Sequence, residues 1–69
     1  MWKKIENLEA IADIIPGDVI TLKPGNAEAE FIVQKIHTGY VNVIHANGIS
    51  VLKVFPEKDL ISGKWYLKE

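Results

Sequence analysis

Three runs rich in β-branched and aromatic residues follow one another in the middle of the chain, at 29–37, 40–46 and 49–55. Such side chains favour strands because they pack well on a pleated, half-buried surface. Thr38-Gly39 and Asn47-Gly48 separate the runs. Asn-Gly is typical of type I′ hairpin turns, which need a positive φ at both central residues. The pattern predicts three consecutive antiparallel strands joined by two-residue turns.

These turns predict which residues of the three strands lie opposite each other. His37 should face Tyr40 across the first turn, and Tyr40 should face Phe55 in the second pair of strands. Because side chains alternate between the two faces of a sheet, one face should be mostly apolar and form the core. This predicted core face holds Ile32, Gln34, Ile36, Val41, Val43, His45, Ser50, Leu52 and Val54. A one-residue bulge would exchange the two faces for part of a strand.

The N-terminal segment 1–15 has the spacing of an amphipathic helix, with apolar residues at every third or fourth position. The apolar set is Trp2, Ile5, Leu8, Ile11, Ala12 and Ile15. Pro16-Gly17 should end the helix, since the residue before a proline avoids the α conformation. The polar side alternates in sign rather than being rich in lysine. This favours a helix packed on the sheet over a helix bound to a membrane surface. The helix would cover apolar residues of the second face, which is the sheet face opposite the predicted core face.

Two further strands are predicted at 17–23 and 64–67, with a helical turn over 57–63 because Pro56 and Gly63 interrupt the extended pattern. The whole chain, 1–69, is predicted to form a single small domain. A chain of this length buries only roughly 60% of its unfolded surface. We therefore expect a modest core beneath a small sheet.

The order of these elements resembles that of SH3-like small barrels, and the leading helix resembles that of Sm-like proteins. The residues that carry the resemblance are Gly17-Asp18-Val19, Asn47-Gly48 and the segment 56–63. The resemblance implies a mainly β fold, namely a small five-stranded SH3-like barrel or strongly bent sheet with an N-terminal amphipathic helix. The chain has no Sm signature for uridine binding, so the resemblance concerns the fold and not a function.

Charge and composition narrow the functional classes. Eight basic residues, all lysine, face nine acidic ones for a net charge of -1. The absence of arginine disfavours nucleic-acid binding, because arginine is the residue suited to bidentate contacts with phosphates and bases. The absence of cysteine fits a reducing cytoplasm, and no apolar run approaches the ~20 residues of a membrane span. We expect a cytoplasmic protein that does not enter a membrane.

The sequence predicts no catalytic, metal or cofactor site. His37 and His45 lie at opposite ends of one predicted hairpin and on opposite faces, so they should not share a zinc ion. Acid–base catalysis needs carboxylates that converge on a pocket. The neighbouring carboxylates instead lie on a loop and a turn that should be solvated, and they are Glu28 with Glu30 and Glu57 with Asp59. We therefore predict a protein that is not an enzyme.

The candidate binding surface lies near the Thr38-Gly39 turn, where aromatic and basic residues share the second face. It comprises Tyr40, Phe55, Lys53, Lys35, His37 and Asn42. Exposed aromatic residues beside lysines can stack on bases or hold a peptide. The alternative is that Tyr40 and Phe55 form a cross-strand pair that only stabilises the sheet.

The resulting hypothesis is a non-enzymatic interaction or assembly module, of the kind that forms subunits of larger bacterial or phage complexes. Its partner would be another protein or a second copy, because the exposed edges of a small sheet can pair with another chain. The alternative hypothesis is a nucleic-acid-binding small barrel that uses the aromatic and lysine residues of the sheet face.

Overall fold

The computed structural model describes residues 1–46 and 52–69, and its secondary structure is mainly β. The strands in these residues are β1 (Trp2–Lys4), β2 (Val19–Thr21), β3 (Glu30–His37), β4 (Tyr40–His45), β5 (Lys53–Pro56) and β6 (Tyr66–Lys68). The helices are α1 (Leu8–Ala12) and α2 (Glu57–Leu60), and a 3-10 turn, Ala27–Ala29, precedes β3. The prediction of a mainly β protein is confirmed.

All six strands form one antiparallel sheet in the order β1-β6-β2-β3-β4-β5. The predicted five-stranded barrel is wrong in two respects. The described chain has a sixth strand, β1, and the sheet does not close, because its ladder ends at β1 on one side and at β5 on the other. Each end of the sheet is therefore an edge strand.

The predicted helix over 1–15 is also wrong. Trp2–Lys4 is a strand that pairs with β6, and Ile5 donates its amide hydrogen to the carbonyl of Trp65 at 2.9 Å. The helix begins only after Asn7, whose backbone is still extended. The side chain of Asn7 accepts a hydrogen bond from the amide of Ala10. An asparagine in this position caps a helix, so it separates the segment into a strand and a short helix.

The first predicted turn, Thr38-Gly39, joins β3 to β4 with His37 opposite Tyr40, as predicted. Gly39 has a φ of 87°, whereas every non-glycine residue in 1–46 and 52–69 has a negative φ. A positive φ at the second central position alone is the pattern of a type II turn, not of the type I′ turn. The second predicted turn, Asn47-Gly48, lies outside the described residues.

A bulge in β3 changes the faces of the sheet. Lys35 lies opposite Asn42 but Val33 lies opposite Val43, so Gln34 is an extra residue with no partner in β4. On the N-terminal side of Gln34, each side chain of β3 therefore lies on the opposite face from the one that regular alternation predicts. Phe31 and Val33 consequently face the core together with Val43.

The pairing of β4 with β5 differs by one residue from the prediction. Val41, and not Tyr40, lies opposite Phe55. This register turns Phe55 towards the core, while Val54 turns to the other face and is 54% exposed. A one-residue shift moves every side chain of a strand to the opposite face.

One hydrophobic core lies against the sheet face that holds Val33, Val41 and Val43, which we call the inner face. Ile11 of α1 and Leu60 of α2 belong to this core, so both helices pack on the inner side. The remaining buried apolar residues are Ile5, Ile14, Ile20, Phe31 and Trp65. The opposite side of the sheet is the outer face.

Replacing Ile5 and Ile15 separately tests this arrangement of the N-terminal segment. Ile5 is 1% exposed and Ile15 is 62% exposed, although both were predicted on one helix face. Ile5→Ala should lower the free energy of unfolding by about 2–5 kcal/mol, because it leaves a cavity in the core. Ile15→Ala should change it by less than about 0.5 kcal/mol. Chemical denaturation measures both values, and equal losses would contradict the placement of β1.

Candidate interaction surface

The structure divides the six predicted surface residues between the two faces of the sheet. Four of them remain together on the outer face beside the β3–β4 turn, and they are Lys35, His37, Tyr40 and Asn42. The register of β5 places Lys53 and Phe55 on the inner side, opposite Val43 and Val41. The predicted surface therefore does not exist as one continuous patch.

His37, Tyr40 and Asn42 form a small cluster on the outer face. The rings of His37 and Tyr40 are stacked, with centroids 4.5 Å apart and an angle of 14° between their planes. The Nδ2 atom of Asn42 lies 3.1 Å from Nε2 of His37. Tyr40 remains 38% exposed. These side chains hold one another in place, which leaves Tyr40 as the accessible aromatic residue of the cluster.

Phe55 belongs to an aromatic group at the core instead. Its ring meets Phe31 edge to face at 5.2 Å and lies 4.8 Å from the ring of Trp65. Aromatic pairs in this geometry contribute about 0.5–1.5 kcal/mol beyond the area they bury. The Nζ atom of Lys53 lies 5.5 Å from the ring centroid of Phe31, a cation–π distance. The predicted pair of Tyr40 with Phe55 is wrong, since their side chains lie on opposite faces.

The two histidines also lie on opposite faces, as the sequence predicted. The ring of His45 lies 4.5 Å from that of Phe31, on the inner side, whereas His37 belongs to the outer cluster. In the described ranges no group of three histidine, cysteine or acidic side chains could hold a metal ion.

The outer face carries aliphatic side chains that the sequence reading had assigned partly to the core. Val19 lies opposite Ile32, and Ile32 lies opposite Ile44, so the three are neighbours across β2, β3 and β4. Val54 of β5 lies on the same face and is 54% exposed, and Leu52, which directly precedes β5, is 59% exposed. We call the set the aliphatic strip, and its members are Val19, Ile32, Ile44, Leu52 and Val54.

The helices of the described chain pack on the inner side and not on the aliphatic strip. Both contribute their buried residues, Ile11 and Leu60, to the core on the inner side. Contiguous apolar side chains on a protein surface are typical of binding sites. The sequence reading missed the strip because the bulge at Gln34 and the register of β5 are not visible in the pattern of residues.

The free edge of β5 lies directly beside the exposed end of the strip. Glu57 donates its amide hydrogen to the carbonyl of Gly39 at 3.0 Å, in register with the pairing of β4 and β5. Backbone groups alternate in direction along an antiparallel strand. Phe55 and Lys53 therefore point their amide and carbonyl groups at β4, and Val54 points its own groups away from the sheet.

Two lysines lie near this end of the strip, one on each face of the sheet. Lys35 lies opposite Asn42, which lies opposite Val54, so the three form a row across the outer face. Lys53 is exposed at the edge itself. Glu57 directly follows the edge strand as the first residue of α2, and Glu30 begins β3. One lysine therefore lies near the edge strand on each face of the sheet, although the net charge of the chain is -1.

A concave site of about 280 Å³ lies at the other end of the sheet, between β1 and α1. Its charged lining residues are Lys3, Lys4, Asp13, Asp18, Lys68 and Glu69. Equal numbers of basic and acidic groups give this site no net charge that would select an ion. None of the helices in the described residues is long and apolar enough to cross a membrane.

No protein-family model matches this chain, and no curated protein and no solved structure is significantly similar to it.

A double-mutant cycle tests the separation of Tyr40 from Phe55. Alanine substitutions of these two residues should be additive within about 0.5 kcal/mol, because their side chains share no partner. The control cycle pairs Phe31 with Phe55, whose rings are in contact, and should show a coupling of about 0.5–1.5 kcal/mol. The measurement is the free energy of unfolding of each variant. Coupling between Tyr40 and Phe55 as large as that of the control would contradict the observed register.

Proposed function

We propose that this protein is a non-enzymatic interaction or assembly module, of the kind that forms subunits of larger bacterial or phage complexes. Its partner is another protein, which binds the outer face at the β5 end of the aliphatic strip. The observation that carries this proposal is the accessible side chains of Leu52 and Val54 beside an open strand edge.

The energetics of burial support a protein partner. Fully burying an aliphatic side chain of this size contributes roughly 1.5–3 kcal/mol. Leu52 and Val54 are both more than half exposed, and Ile32 and Ile44 lie partly exposed beside them. A partner that covers these four side chains gains a substantial part of its binding energy from the hydrophobic effect.

The arrangement of the ionisable residues supports a non-enzymatic role. His37 is stacked on Tyr40 and contacts Asn42, and His45 lies on the other side of the sheet. Glu57 and Asp59 lie on α2, and Glu28 is exposed in the 3-10 turn. These groups do not converge on one pocket, which acid–base catalysis requires.

The order of β6, β2, β3, β4 and β5, with α2 directly before β6, supports the SH3-like resemblance of the sequence. That resemblance and the expected cytoplasmic location stay predictions. The fold would not by itself distinguish protein binding from other functions.

The alternative function is binding of a nucleic acid through Lys35, His37 and Tyr40. Single-strand binding depends on several aromatic rings that stack on successive bases. The packing of Phe55 against Phe31 and Trp65 leaves Tyr40 as the accessible ring of this group, and arginine is absent from the sequence. Both observations favour the protein partner.

Site-specific photocrosslinking in the cells that produce the protein tests the proposal. A photoreactive phenylalanine analogue replaces Val54 in one variant and Ile15 in a control variant. Both positions are exposed and aliphatic, but Ile15 lies in the segment between α1 and β2, outside the strip. We expect a discrete protein adduct from position 54 and none from position 15, with mass spectrometry identifying the partner.

The same experiment separates the alternatives. An adduct at position 54 that nuclease digestion removes would support nucleic-acid binding in place of the proposal. Equal labelling from both positions, or no adduct from position 54, would contradict a partner site on the strip.

A further inference from the structure

We infer that the partner presents an extended segment of alternating aliphatic and acidic residues, which pairs as an added strand with the free edge of β5. This inference rests on the proposed function, because it names the chemistry of the partner at the same surface.

The first support is the direction of the backbone groups along β5. Val54 points its amide and carbonyl away from β4, so both can bond an incoming strand. Pro56 has no amide hydrogen, so the row of edge donors ends before it. The segment that pairs with this edge is therefore short and centred on Val54.

The second support is the alternation of side chains at the edge. Val54 lies on the outer face, whereas Lys53 and Phe55 lie on the inner side. Residues on neighbouring strands meet on the same face, with Cβ atoms about 4.5–5.5 Å apart. A strand added here places alternate residues beside Val54, where aliphatic side chains fit, and the others beside Lys53, where a carboxylate fits.

The third support is the charge of the edge strand, which favours an acidic partner. Lys53 is exposed at the edge, on the side where the acidic residues of an added strand would lie. Two copies of β5 paired edge to edge would bring Lys53 near its own equivalent, and like charges across a strand pair are unfavourable. Lysine on an edge strand thus opposes self-pairing. An acidic segment of another protein removes this repulsion and replaces it with attraction.

Titration of the isotope-labelled full-length chain with synthetic peptides tests the inference. The probe is an acetylated and amidated peptide of the sequence Thr-Val-Glu-Val-Glu-Val-Thr. One control peptide has lysine in place of both glutamates, and another has the same composition without the alternation. We expect the amide of Val54 to shift on addition of the probe, and both control peptides to bind at least tenfold more weakly.

Two variants of the chain locate the contact. Lys53→Glu should reverse the preference, so that the lysine peptide binds more tightly than the glutamate peptide. Val54→Pro removes the outward amide hydrogen without removing a hydrogen bond to β4, and it should reduce binding of the probe at least tenfold. The matched control, Val54→Thr, keeps the amide hydrogen and should retain binding. If Val54→Pro unfolds, the charge reversal at Lys53 decides the question alone.

The outcomes distinguish this inference from the proposed function. Equal binding of the glutamate and lysine peptides would overturn the acidic segment. Undiminished binding to a folded Val54→Pro chain would overturn edge pairing, while the protein adduct from position 54 would still support the proposed function. The remaining outcome is a single-stranded oligonucleotide that binds more tightly than the probe and loses this binding in Lys53→Glu. That result would overturn both the inference and the proposed function.

Discussion

Gln34 has no partner residue in β4, and the orientation of the side chains along β3 depends on this one extra residue. On the turn side of the bulge Ile36 lies opposite Val41, and beyond it Val33 lies opposite Val43. Without the extra residue, the inner face could not hold both pairs, because side chains alternate strictly along a regular strand. The bulge therefore brings the apolar residues of both halves of β3 to one core.

The same constraint creates the outer surface. Once Phe31 and Val33 face the core, Ile32 must face outwards, where it meets Val19 and Ile44. The register of β5 adds Val54 to this side and turns Phe55 into the aromatic group at the core. The aliphatic strip is thus the consequence of two one-residue register effects, and the proposed partner site follows from them.

The two edges of the sheet differ in what they offer another chain. At one end β1 carries Lys3 and Lys4 and is held by Ile5, which is buried in the core. At the other end β5 combines Lys53 with an accessible aliphatic neighbour, Val54. Lysines on edge strands oppose unspecific pairing. In the described sheet, β5 joins such an edge to an exposed aliphatic side chain on the outer face, and we propose it as the partner site for this reason.

Sequence reasoning predicted the features that depend on neighbouring residues. The β-rich composition of the central runs indicated the strands, and Thr38-Gly39 indicated a two-residue turn because glycine accepts the positive φ that such a turn requires. His37, Tyr40 and Asn42 share one face in the structure because they lie close to that turn, where the predicted register holds.

The tertiary structure decided the features that depend on distant partners. Residues 2–4 form a strand because β6 offers an edge to pair with, and that edge exists only after the chain has folded. The three-and-four spacing of residues 1–15 could not reveal this, since Ile5 and Ile11 reach the same core from a strand segment and from a helix. The bulge at Gln34 and the register of β5 likewise depend on which packing buries the most apolar surface. A sequence carries the alternation of its side chains, but the face that becomes the core depends on the strands that pair with it.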